Sequence, residues 1–215
     1  MHKVLDFIKK NKQFSFFLLL VILLALITVF APVIAPQDPY ASDLKNALQP
    51  PSDEHWFGTD KLGRDIFSRV IYASRSSLPA TLILVVLIFA IGTLLGTLAG
   101  YFGGWIDAVI MRISDMMISF PGMVLAIAVA GIMGASVKNA VIAVAVVSWP
   151  KYARLARSLV MKIRHEDYIY AAIVTGSKTS YILRKYMLPN IIPTLVITAA
   201  TDIGGMMLEL AGLSF

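Results

Sequence analysis

Cysteine is absent from the 215 residues, which excludes disulfides and thiolate metal sites. Histidine is scarce: His2, His55 and His165 stand in separate segments and form no metal cluster. Charge is scarce too, at 15% of residues, where a soluble domain carries about a quarter. No G-x-x-x-x-G-K-[ST] phosphate loop occurs, so any ATP that the protein draws on must be hydrolysed by another chain. What fills the sequence instead is apolar, with 58% hydrophobic residues and a mean hydropathy of +0.76. That balance describes an all-α polytopic protein, a transmembrane helical bundle whose solvent is the lipid bilayer. The net charge of +6 does not point to nucleic acid, because basic residues of a membrane protein gather on its cytoplasmic side. No cofactor is expected.

Residues 1–13 carry Lys3, Lys9, Lys10 and Lys12 ahead of an apolar run from Phe14 to Ala35, interrupted late by Pro32. The run is long enough to cross a bilayer, which takes about 20 residues. Pro36 follows the small-residue stretch Val33–Ala35 at once, which argues against cleavage as a signal peptide. We therefore expect an uncleaved first helix with its N-terminus in the cytoplasm. Residues 36–76 are polar and near neutral, with six acids against Lys45, Lys61, Arg64, Arg69 and Arg75, and fit the outer face. Within them Ile66, Phe67, Val70 and Ile71 mark one face of an amphipathic helix, and Trp56 and Phe57 are suited to headgroup depth. Such a helix serves either as an interfacial brace or as a contact for an external protein.

Four further spans are expected, making five. Pro79–Tyr101 carries Gly92, Gly96 and Gly100, a ridge for close helix packing. Trp105–Met133 has Asp107, Arg112 and Asp115 near its start, with Arg112 and Asp115 spaced to pair with each other. Phe120-Pro121-Gly122 should bend that helix, and Pro121 is a candidate pathway residue, since a broken helix at membrane depth is tolerated beside protein or a wet cavity. A simple kink is the alternative. Ala140–Met161 turns basic at Lys151, Arg154 and Arg157, which recur on one face and suggest that the helix runs out into the cytoplasm. Ile191–Phe215 is the last. Lys plus Arg number four in 1–13 and eight in 151–189 on the proposed inner side, against five in 36–76 and Lys138 alone in the short outer loop. The bias is positive-inside.

The stretch Asp167–Pro189, DYIYAAIVTGSKTSYILRKYMLP, is a polar, basic interruption between apolar runs. Ala171, Ala172 and Gly176 place small residues one turn apart on a short helix. Leu188-Pro189 should close the segment, because the residue before proline is pushed out of helical geometry. This stretch resembles the loop of ATP-binding-cassette importer permeases, whose pattern is Glu-Ala-Ala, three residues, Gly, nine residues, Ile-x-Leu-Pro. Ala171, Ala172, Gly176, Leu188 and Pro189 match; Tyr170 stands for the Glu and Tyr186 for the Ile. HWFGTDKLGRDIFSRVIYASRSSL, from His55 to Leu78, is similar to the segment before the core helices in the peptide and nickel branch. TDIGGMMLELAGLSF, from Thr201 to Phe215, extends the likeness to the C-type permease subunits, its letters leaning towards the nickel branch.

The resemblance implies a type I importer permease with five of six spans present, in a bacterial inner membrane. The chain ends inside an apolar segment, so we expect a piece of a longer subunit. It also implies half of a heterodimeric pore, with a second permease subunit, two ABC ATPase subunits and an extracytoplasmic solute-binding protein as partners. The cargo class would be peptides or nickel. The domain layout is expected as 1–35 (tail and first helix), 36–77 (extracytoplasmic segment) and 78–215 (permease core), with a cytoplasmic coupling loop at 165–189.

Asp202 and Glu209 lie inside the last span, seven apart and so on roughly one face. Ionisable groups at that depth are costly and usually face a bundle interior or a wet cavity. Lining a pathway they would favour a cationic or zwitterionic cargo; the alternative for Asp202 is a structural hydrogen bond to another helix. The 10 methionines are read as packing, not as soft-metal ligands. Two other functional classes remain open here. One is an ion-coupled secondary transporter using Asp202 and Glu209. The other is a non-transporting membrane scaffold.

Overall fold

Helix α1, Lys12–Ile34, is apolar on every side and nearly all of its surface is exposed, as suits a helix solvated by lipid. It passes through Pro32 and stops before Pro36, where Ala35 turns to extended geometry. The structure is a computed structural model that describes residues 10–213. His2, Lys3 and Lys9 at one end, and the last two letters of the expected fifth span, lie outside them. The remaining elements are α2 (Ile66–Phe102), α3 (Gly104–Ser119), α4 (Gly122–Met133), α5 (Val137–Arg164), α6 (Asp167–Val174), α7 (Thr179–Ile182), a π-helical turn (Leu183–Met187) and α8 (Leu188–Gly212). The chain divides into two compact units, residues 1–78 and 79–215, with α2 passing from one to the other.

In the first unit, residues 36–65 form a hydrogen-bonded knot instead of a helix. Backbone amides of Asp43, Leu48 and Thr59 donate to Leu62, Asp60 and Gln49 across the loop, and the Thr59 hydroxyl donates to the Asn46 carbonyl. Gly58 and Gly63 have φ of +75° and +72°, and a Cβ on Gly58 would lie 3.2 Å from the Pro50 carbonyl carbon. Only glycine meets both demands there. Asp65, almost fully buried, accepts from the Ser68 amide at 2.7 Å to cap α2 and lies 3.0 Å from His55 Nδ1. Asp60 accepts from the Leu62 and Arg64 amides and pairs with Arg64 at 2.8 Å. The separate amphipathic helix expected over His55–Leu78 is not found. Residues from Ile66 onward are the first turns of α2, which continues through Pro79 because losing one hydrogen bond does not stop a helix held on both sides.

These carboxylates set an acid limit on the knot. Burial pushes Asp60 up, but Arg64 and the two amides outweigh it and hold the group down at about 2. Asp65 is also lowered: burial raises it, and Ser68 and His55 more than offset that. A depressed native value means stability that is complete above the ordinary carboxylate value of 3.8 and lost as pH falls towards about 2. We expect amide protection factors across residues 43–66, taken relative to intrinsic exchange, to fall below about pH 4, with Asp60→Asn removing part of that dependence. A flat protection profile from pH 5 to 2 would count against this account.

The second unit is built around α5. Its Val144, Tyr152, Ala156 and Val160 are buried against Leu84 and Ile88 of α2 and Ile191 and Leu195 of α8. The glycine ridge of α2 lies on α5 at backbone contact. A Cβ on Gly92 would meet the Trp149 carbonyl at 2.8 Å, one on Gly96 would meet Ala156 Cβ at 2.8 Å, and one on Gly100 would meet Val160 Cβ at 2.9 Å. In lipid, where apolar burial gives helices no reason to associate, such close approach is what holds a pair together. Ser136 caps α5 by accepting from the Asn139 amide, while Asn139 Nδ2 donates to the Met133 and Gly134 carbonyls and closes the α4–α5 turn. By length and composition α1, α2 and the rod Thr179–Gly212 can cross a membrane, and α3 with α4 makes a fourth candidate. Helix α5 falls outside that set, because Lys151, Arg154 and Arg157 lower its hydropathy. Among the described residues there is no strand, only a bridge between Thr59 and Asp65.

Candidate functional site

The loop Asp167–Pro189 begins with α6, an eight-residue helix. Its end is a Schellman turn: the Gly176 amide donates to Ile173 at 2.9 Å and the Ser177 amide to Ala172 at 3.0 Å. Gly176 has φ +77° and follows the helix, so its place there is conformational. It does not continue the small-residue face that its spacing suggested. The two alanines also part company. Ala171 is exposed, whereas Ala172 is 7% exposed and joins the core with Ile169. Past the exposed Asp167 of its first turn, what α6 offers to solvent is mostly apolar: Tyr170, Ile173 and above all Val174, 86% exposed. Tyr170, in the position of the family glutamate, has its hydroxyl 3.0 Å from His165 Nδ1.

Leu188-Pro189 does not close the loop. Leu188 is helical at φ −56°, ψ −47°, and Thr179–Gly212 is one rod of 34 residues. The π-turn Leu183–Met187 is the reason. Its wider ring absorbs the missing proline N–H, and Pro189 falls in the first turn of α8, where that donor has no helical partner to lose.

Lys151, Arg154 and Arg157 of α5 each have a carboxylate partner on another helix. Lys151 Nζ lies 2.7 Å from both oxygens of Asp202 on α8, and Tyr152 donates to the same carboxylate at 3.0 Å. Arg154 pairs with Asp115 at 2.6 Å, and Arg157 grips Asp107 with two nitrogens, Nη2 to Oδ2 at 2.6 Å. Asp115 is therefore taken by Arg154 of another helix and not by Arg112 of its own. The three pairs form a ladder along one helix, tying it to α3 at two rungs and to α8 at the third. The three-residue spacing was legible in the sequence, but the partners stand 39 to 51 residues away and gave no local signal.

At Phe120–Pro121 the chain breaks, and α3 and α4 meet at 94°. Beside the break a cavity of about 30 Å³, room for a water molecule or two, is lined by Gly122, Met123, Ser148 and Glu209 among others. Asp202 and Glu209 thus share a helix but not a setting. Asp202 is neutralised by Lys151, while Glu209 is exposed beside the bend and, among the described residues, has no ion-pair partner.

Residues 92–215 match the family model of the binding-protein-dependent transport system inner membrane component. Residues 2–51 match the N-terminal TM domain of oligopeptide transport permease C. The dipeptide transport system permease protein of Alkalihalophilus pseudofirmus is 42% identical over 97% of this chain and 68% of its own length. A probable D,D-dipeptide transport system permease protein of Escherichia coli is 43% identical over 91% of this chain and 66% of its own. The nickel transport system permease protein of Escherichia coli is 39% identical, over 92% and 72%. The chain thus spans about two thirds to three quarters of the length of these relatives. A crystal structure of an amino acid ABC transporter with histidines matches at TM-score 0.45 and 22% identity, over 70% of this chain and 75% of that one.

Proposed function

This chain belongs to the binding-protein-dependent transport system inner membrane components, and we propose that it forms one half of the conduit of an ATP-driven importer for peptides or nickel. A second permease completes the pore, two ATPase subunits supply the force, and an external solute-binding protein delivers the cargo. The N-terminus and the 165–189 loop face the cytoplasm, residues 36–77 face outward, and 78–215 make the core. Cargo is passed unaltered; the permease makes and breaks no bond in it. The observation that carries this reading is α6. It is a short helix with an exposed apolar edge beside a run of cations, joined to a rod that reaches Asp202 without a further loop. The ATPase docks on Ala171, Ile173 and Val174, and its closure moves the rod, opening the cavity at Pro121 and Glu209 to the outside.

The test is uptake in proteoliposomes holding both permeases and the ATPase pair. Uptake should require ATP; uptake on an ion gradient alone would overturn the proposal. A cysteine at Ser177 should react with an impermeant reagent only from the cytoplasmic side.

The two carboxylates should separate in the same assay. Glu209→Gln is expected to leave assembly intact and to lower uptake of a cationic cargo by about 10-fold, the loss of one charge contact worth about 1.4 kcal/mol. Asp202→Asn is expected to act on assembly, costing about 1–2 kcal/mol because Lys151 loses its partner, a figure kept low since that lysine is more than half exposed. Equal behaviour of the two variants would contradict the separate roles.

A further inference from the structure

We propose that the ATPase presents an acidic segment to a groove on the docking loop, and that this groove is a second contact beside the apolar edge of α6. The proposal rests on reading 167–189 as the ATPase site and names the chemistry of what binds there. The groove is a shallow surface depression of about 680 Å³, wide open to solvent and lined by Ser177, Lys178, Ser180, Tyr181, Arg184 and Lys185. That is three cations and three hydroxyls with no carboxylate. Space of this size accepts several side chains, not a lone carboxylate.

Charge carries the argument. Lys151, Arg154 and Arg157 are each paired with a carboxylate of another helix at 2.7 Å or less. Among the described residues, no carboxylate lies within ion-pair distance of Lys178, Arg184 or Lys185. The acids of the loop, Glu166 and Asp167, stand at the start of α6 and do not line the groove. The loop is therefore two-poled, and a partner that covers it must be acidic where the groove is.

The groove is also built to hold its shape. Tyr181 meets Tyr186 edge-on and Tyr168 meets it at a tilt, with ring centroids 5.9 and 6.0 Å away, and Lys185 Nζ sits 5.9 Å from the Tyr181 ring. Ile182 and Met187, fully buried, root the π-turn in the core, so Arg184 and Lys185 project from a fixed wall. Cations held on a rigid wall lose little freedom when a partner arrives. Ile173 and Val174, exposed on α6 a few residues before Ser177, add the apolar surface that protein interfaces combine with charge.

The test uses the assembled importer in nanodiscs of phosphatidylcholine, with or without phosphatidylglycerol, and measures retention of the ATPase against salt. Wild-type affinity should fall as salt rises. The variant Lys178→Glu/Arg184→Glu/Lys185→Glu should lose about 100-fold in affinity, as reversal of close interfacial charge pairs does. The Gln triple variant should lose less, and its affinity should no longer depend on salt. Reversing acids on the ATPase should restore binding to the Glu variant. Wild-type retention and salt dependence in the triple variants would overturn the groove. An effect confined to phosphatidylglycerol discs would overturn it too, by assigning the cations to lipid headgroups. If Val174→Asp removes the ATPase while the triple variants keep it, the docking reading stands and the groove fails. If all of these variants keep it, both fail.

Discussion

Gly96→Val should leave little or no folded protein in the membrane. A Cβ at this position lands 2.8 Å from Ala156 Cβ and 2.9 Å from the Ala153 carbonyl carbon, so the obstacle is α5 backbone as well as a side chain. Valine adds two more methyl groups to that gap. Overpacking of a core costs about 1–3 kcal/mol when side chains can move aside. Here neither neighbour has a flexible end, and close approach is the main force joining α2 to α5. The cost should sit at or above the top of that range, against total stabilities of roughly 5–15 kcal/mol for ordinary domains. Gly131→Val is the matched control, since nothing lies within 4 Å of its Cβ. Detergent-solubilised variants compared by size-exclusion profile and thermal unfolding would decide. A monodisperse Gly96→Val protein melting with the wild type would show that the ridge is not a packing surface.

Val174→Asp should abolish ATPase retention while the permease folds normally. The side chain is 86% exposed, so a carboxylate there costs the isolated subunit almost nothing. In the complex it would be buried without a partner, a loss of about 3 kcal/mol or more, which is over 100-fold in affinity. Ala171→Asp, also exposed, should act in the same direction. Gly176 is the wrong place for this experiment, although the family pattern draws the eye to it. Its φ of +77° is what lets α6 end, and any Cβ is strained there even though no neighbour stands within 4 Å. Gly176→Ala should destabilise the loop by about 1 kcal/mol, and Gly176→Asn by less, since asparagine tolerates the left-handed turn. Loss of the ATPase in Gly176→Asp would mix that strain with the added charge. Retention of the ATPase by Val174→Asp, with the fold intact, would remove α6 as the docking helix.

What could be read from the letters is what depends on near neighbours. The apolar run of α1, the glycines of α2 and the break at Pro121 each follow from residues within a turn or two. Pairs such as Arg157 with Asp107 do not, because only the bundle brings α3 beside α5. Lys151, Arg154 and Arg157 each have a carboxylate across a helix interface that no local pattern announces. For Asp202 the letters leave a pathway role and a hydrogen bond to another helix side by side, and Lys151 and Tyr152 supply the second. At Leu188-Pro189 a sound local rule met a longer-range solution: one π-turn, rooted by Ile182 and Met187, lets the helix pass.

That uninterrupted passage has a mechanical consequence. From Thr179 to Asp202 runs about 35 Å of helix, so a tilt of roughly 10° at the near end displaces the far end by about 6 Å. A contact of 2.7 Å between Lys151 and Asp202 cannot stretch that far. Either the bond snaps in every cycle, or α5 swings with α8 as a single beam. In the second case the fulcrum falls where the backbone is already cut, at the right-angled corner before Gly122.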